Sequence, residues 1–208
     1  MKYKLVIFDF DGTLADSMPW FLDIVDGVAD RYSFKRVDRA EIDRLRALSA
    51  RKLIEIHGIP LWKLPRITMH LRQLADRDSH LIPLFEGVRE VLMDLASRGV
   101  TLAVVTSNTE ANVRKILGPE LSSLIRYYQC GASMFGKKSK FRKVLQQAGV
   151  HPREVLSIGD EIRDMDAAAA YDIPFGAVAW GYTRIDALAA RSPVEVFHRM
   201  TDIVERVA

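Results

Sequence analysis

The stretch Leu5-Val6-Ile7-Phe8-Asp9-Phe10-Asp11-Gly12-Thr13-Leu14 decides the fold. Leu5 to Phe8 form an apolar run of branched and aromatic side chains, the composition of a strand buried on both faces. The run ends on two carboxylates. Side chains two apart on a strand share a face, so Asp9 and Asp11 can both look out of the carboxyl edge, where open α/β sheets bind ligands. Carboxylates this close repel unless a cation sits between them, and a hard ion such as magnesium suits oxygen donors. Gly12 permits the turn and Thr13 adds a hydroxyl beside it. The competing reading is an Asp-Gly hairpin. Against it, Leu14 to Tyr32 has a helical period and no alternating partner strand appears.

Working outward, a chain of 208 residues can hold one good core, or a core with a smaller appendage. With 49% hydrophobic and 27% charged residues, the composition is that of a soluble globular protein. A net charge of +3 is compatible with anionic substrates and too weak to argue for nucleic acid. Met1-Lys-Tyr-Lys4 leads directly into the first strand, with no apolar signal segment, and no apolar run reaches the ~20 residues of a membrane helix. A cytoplasmic location is therefore expected, with no membrane and no nucleic-acid partner. A single cysteine, Cys130, excludes an internal disulfide and reads as a small core residue.

From about 16 to 83 the pattern is helical. Ser17 and Pro19 mark a helix start, with Phe21, Ile24, Val25, Val28 and Tyr32 on one face. Asp38 and Glu41 have capping-box spacing, Ser49 caps a third helix, and a fourth runs from about Leu61 to Ser79 across Pro65. Four helices inserted after a catalytic-looking loop read as a lid. Trp20, Phe21 and Trp62 are expected in its core. Residues 1–15 and 84–208 are then the α/β core. There, apolar strands near Leu102–Val105, Tyr128, Glu154–Ile158 and Pro174–Trp180 alternate with amphipathic helices, including one from about Glu110 to Leu117. This rhythm predicts a parallel, doubly wound, Rossmann-like sheet with the inserted helical domain as its cap.

Four strand ends carry polar groups. After Asp9 and Asp11 come Thr106-Ser107-Asn108, whose hydroxyls and amides near a helix start suit phosphate oxygens, although such a trio is often only a helix cap. Lys137, or else Lys138, follows Gly136 and offers a cation. In isolation the basic run Lys137 to Lys143 is usually a solvated helix face. Asp160 and Asp164, spaced i, i+4 after a buried strand, can face the same way. Glu161 and Asp166 are expected to be peripheral or exposed.

Taken in order, these elements resemble the four motifs of the haloacid dehalogenase superfamily, in its phosphatase form and nearest the phosphoglycolate-phosphatase-like branch. The stretch from Gly136 to Gly159 is shorter than in many relatives and lacks the common Lys-Pro. The resemblance implies that Asp9 is the nucleophile, forming an aspartyl-phosphate, and that Asp11 is the general acid and base. It further implies that Thr106, Ser107, Asn108, Gly12 and Lys137 bind the phosphoryl group. Mg2+ would be held by Asp9, Asp11 through its backbone carbonyl, and Asp160, with Asp164 orienting this shell. The substrate would be a small phosphorylated metabolite, and the protein a monomer or dimer. A sugar-phosphate mutase and a non-catalytic phospho-acceptor or binding module are the alternatives. Within the lid, Arg46 or Arg51 is expected to contact the leaving group, unless both are simply exposed helix arginines.

Overall fold

The computed structural model of the protein describes residues 2–131 and 136–207. Strand β1 (Leu5–Phe8) is buried along its whole length, as an apolar run without polar alternation requires. It lies between β2 (Thr101–Val105) and β4 (Val155–Gly159), and the sheet continues outward through β3 (Ile125–Gln129) on one side and β5 (Phe175–Val178) and β6 (Glu195–Phe197) on the other. The order is β3-β2-β1-β4-β5-β6 and every pair is parallel. This is the doubly wound, Rossmann-like arrangement expected from the alternation of strands and helices.

Alternation along the strands feeds two cores. Val6 and Phe8 pack with Leu102, Val104, Leu156 and Ile158 against α5 (Val88–Ser97), α6 (Glu110–Leu124) and α10 (Asp202–Val207). Leu5, Ile7, Ala103 and Val105 face the opposite way, against α7 (Lys137–Ala148), α8 (Ile162–Ala169) and α9 (Ile185–Ala189). Register sets the site: Phe8 pairs with both Val104 and Ile158, so β1, β2 and β4 end at nearly the same level.

Between β1 and α5 the chain contributes helices α1 (Met18–Tyr32), α2 (Ile42–Leu45), α3 (Ala50–Ile56) and α4 (Leu64–Arg77), joined by 3-10 turns. Pro19 and Pro65 both sit in first turns, where the missing N–H costs nothing. Ser49 caps α3 through the Lys52 amide. Asp38 caps only a 3-10 turn, accepting from Ala40, so the expected capping box contracts to one bond. Trp62 corrects the expected lid core, being 70% exposed. The helix expected to stop near Leu117 resumes to Leu124: Gly118 leaves helical geometry at φ 74° and Pro119 starts the next turns.

Candidate active site

After Phe8 the chain turns sharply. The Phe10 carbonyl accepts from Thr13, Leu14 and Ala15, and Gly12 sits at φ +79°. A Cβ at Gly12 would lie 2.4 Å from Asp160 Oδ2 and 2.4 Å from the Tyr182 ring, so glycine is required by space as well as by conformation. Gly181 is equally confined, since its Cβ would meet Asp160 Cβ at 2.1 Å.

This tight packing seats Asp160. Fully buried, it accepts from the Thr13 hydroxyl at 2.8 Å and from the Tyr182 amide at 2.7 Å. Asp164, on the first turn of α8, accepts from the Glu161 amide and binds Lys137 through its other oxygen. Lys137, the first residue of α7, is buried and reaches Asp9 Oδ2 at 2.8 Å, whereas Lys138 is exposed. The direction α7 takes as it leaves Gly136 turns Lys137, rather than Lys138, toward the acidic side chains.

Asp9, Asp160 and Asp164 thus bring carboxylate oxygens within 4.8 Å of one another, all buried. Three carboxylates around the Lys137 ammonium, with the nearby Arg163 guanidinium already paired with Glu161, leave negative charge in excess if all are ionised. Burial, reinforced by Asp164, pushes Asp9 up to about 8 despite the opposing pull of Lys137. Asp160 is likewise raised by burial and by its acidic neighbours. Lys137 is disfavoured by burial, but Asp164 and Asp9 outweigh it and hold the ammonium. Protons or a divalent cation must supply the missing positive charge. Hard oxygen donors in a closed site fit an oxygen-seeking cation.

Asp11 stands beside this cluster. The Asn108 side-chain amide donates to Asp11 Oδ2 at 3.2 Å. The Tyr182 hydroxyl meets the Ser17 hydroxyl at 3.0 Å. Burial raises Asp11 above the usual carboxylate range, and hydrogen bonds from Ser17 and Asn108 restrain the rise. When Asp11 is ionised it only accepts, so in that state Ser17 donates to Asp11 and Tyr182 donates to Ser17. Burial, with Asp11 nearby, keeps the Tyr182 phenol protonated. Ser17 therefore starts α1 without capping it by side chain; its hydroxyl is committed to the site.

Thr106 is buried and accepts the Asn108 amide on Oγ1 at 3.0 Å, leaving its own proton to donate. Ser107 lines the adjoining cavity, and its carbonyl accepts from Arg72 at 2.8 Å. Asn108 is further fixed through Oδ1 by Thr109 and Asn112.

The arginines separate. Arg51 is exposed on α3 and does not line the cavity beside Asp11. Arg46 does line it, but its guanidinium donates to the Gly181 carbonyl at 2.8 Å and to the Tyr182 carbonyl at 3.1 Å. Phe21, expected in the lid core, instead packs edge-on against Tyr182 and lines the cavity. Asp166 is exposed and pairs with Arg191, and Glu161 pairs with Arg163. Cys130, expected as a small core residue, is half-buried against the edge of the core, and burial pushes its thiol up to about 12, consistent with an unreactive cysteine. Sequence reasoning missed Ser17 as a site residue, Tyr182 and Arg163. Only Arg163 carried a signal, lying between Asp160 and Asp164.

Comparison with known proteins agrees with this geometry. Residues 6–178 match the family described as haloacid dehalogenase-like hydrolase. A phosphoglycolate phosphatase from Synechococcus elongatus is 31% identical over 206 residues, covering 98% of this chain and 97% of its own. A tyrosine-protein kinase PtkA from Mycobacterium tuberculosis is 28% identical, covering 95% of this chain and 69% of its own. Among solved structures, a putative phosphoglycolate phosphatase from Lactobacillus plantarum superposes with a TM-score of 0.83 at 22% identity, covering 99% of each chain. The parallel sheet, the acidic cluster at its carboxyl edge and the match across most of the length agree: this chain belongs to the haloacid dehalogenase-like hydrolases and is a phosphatase of that family.

Proposed function

We propose that the protein is a magnesium-dependent phosphatase that hydrolyses a small phosphomonoester through an aspartyl-phosphate on Asp9. The observation that carries this reading is the pairing of Asp9, held by Lys137 at 2.8 Å, with a second carboxyl two residues later whose affinity for protons is raised by burial. One carboxylate is positioned to attack, and the other is suited to carry a proton.

In the first step a carboxylate oxygen of Asp9 bonds to phosphorus and the ester P–O bond breaks. Asp11 gives its proton to the departing oxygen. In the second step Asp11 takes a proton from water, the water oxygen bonds to phosphorus, and the bond to Asp9 breaks to release phosphate. Lys137, the Thr106 hydroxyl and the amides around Ser107 meet the charge on the phosphoryl oxygens, where most catalysis of this transfer lies. Asp9, Asp160 and the Asp11 backbone carbonyl would hold Mg2+, with Asp164 orienting them. The ion would neutralise the carboxylate cluster and draw charge from the phosphoryl oxygens. Residues 1–15 and 84–208 act as the catalytic core and 16–83 as its lid, with Arg46 clamped onto the loop that holds Asp160.

The test is phosphate release from a panel of phosphomonoesters, phosphoglycolate included, with Mg2+ or with chelator. Metal-dependent release is expected. Its absence from every ester, with transfer of phosphate from ATP to tyrosine instead, would favour the activity in the name of the mycobacterial relative.

Because folded Asp9 holds a proton up to about pH 8 while an unfolded aspartate releases it near 3.8, the metal-free protein loses stability as pH rises through that window. Mg2+ should therefore raise the melting temperature more at about pH 8 than at about pH 5; equal shifts would contradict it. Ser17→Ala removes a hydrogen bond that favours ionised Asp11, so the Asp11 pKa rises. The acid form needed for the first step then persists further, and the alkaline limb of kcat/KM moves to higher pH. A limb that stays in place or moves down would show that Asp11 is not the acid.

A further inference from the structure

A cavity of about 390 Å3 opens beside Asp11 and Asn108 and runs into the helical segment, where side chains such as Leu22, Val25, Leu53, Ile54 and Leu71 form its wall. That volume is in the range of clefts that enclose drug-sized ligands, roughly 300–1,000 Å3. Phosphoglycolate offers beyond its phosphate only one methylene and a carboxylate, which would leave most of this space empty and place a charge among alkyl groups.

The guanidinium groups on the lining each hold a partner within the protein, and Arg163 keeps one buried donor, its Nε, unpaired. Arg46 donates to the Gly181 and Tyr182 carbonyls, Arg163 pairs with Glu161 at 2.6 Å, and Arg72 donates to the Ser107 carbonyl at 2.8 Å. Water gains few hydrogen bonds against such a wall, and an empty apolar void forfeits packing. Hydrocarbon resolves both problems.

We infer that the leaving group of the substrate is an extended apolar alcohol, so that the phosphate lies at Asp9 and Lys137 while an alkyl or aryl tail fills the chamber between α1, α3 and α4. This rests on the phosphatase reading and adds the substrate class. The phosphate-binding end is polar and compact; selectivity comes from hydrocarbon burial inside the lid.

The test uses the full-length protein with Mg2+ and compares kcat/KM for ethyl, butyl, hexyl and octyl phosphate with that for phosphoglycolate. Simple alkyl esters differ little in leaving-group reactivity, so the series reports burial. Each added methylene should raise kcat/KM about fourfold until the chamber is full, the factor that about 0.8 kcal/mol provides. Octyl phosphate should then exceed phosphoglycolate. Leu53→Trp, which fills the chamber from α3, should flatten the series; if that variant does not fold, Thr68→Phe from α4 makes the same test. A flat series in the wild type, or a preference for phosphoglycolate, overturns the inference while metal-dependent release upholds the phosphatase reading. Release from no ester overturns both.

Discussion

Asp9→Asn is expected to fold and to lose phosphatase turnover by on the order of 10^4-fold or more, because the nucleophile disappears while its surroundings keep their shape. Asp9 is one of three buried carboxylates crowded within 4.8 Å, and burial together with Asp164 already disfavours its charge. The amide removes that repulsion, and Lys137 retains Asp164 as partner. The metal-free variant should therefore melt no lower than the wild type, while steady-state phosphate release falls to background. Retention of more than a few per cent of kcat would mean that another group attacks phosphorus.

Lys137→Met should lower kcat by about 10^2- to 10^3-fold, the usual cost of removing one preorganised cation from a developing charge. It should also destabilise the protein, since Asp9 and Asp164 lose a buried partner, and breaking a buried ion pair from one side costs about 3–5 kcal/mol. Protonation of the stranded carboxylates caps that loss, so the destabilisation should shrink as pH falls. Lys138→Met is the control: its side chain is exposed, and surface changes of this kind stay within about 0.5 kcal/mol. Urea unfolding and initial rates on both variants decide the matter. Equal effects of the two substitutions would contradict the placement of α7.

These two residues also show what the sequence could and could not convey. Asp9, Asp11 and Asp160 were legible because each directly follows an apolar strand, and parallel strands of matched register bring their carboxyl ends together. The lysine remained a pair of candidates, since the answer depends on the angle at which a helix leaves its preceding loop. Tyr182 was invisible for a different reason. Its amide holds Asp160, its hydroxyl reaches Ser17 and its carbonyl takes Arg46, yet all three contacts span more than twenty residues of sequence. No local pattern announces such a residue; it is defined by Gly12 and Gly181 leaving room for the loop to close on Asp160. Arg46 was singled out for its charge, and the structure gives that charge to backbone carbonyls. Trp62 was expected inside for its size, but a 3-10 turn before α4 presents it outward.

If phosphorus passes through Asp9, Asp11→Asn gives the most direct view of the intermediate. This variant cannot activate water, while an aryl phosphate leaves without help from an acid. Mixed with radiolabelled aryl phosphate and Mg2+, then quenched in acid and digested, Asp11→Asn should carry label on the peptide containing Asp9, approaching one phosphoryl group per chain. Continued phosphate release with no labelled protein, or label on any other residue, would contradict the aspartyl-phosphate mechanism.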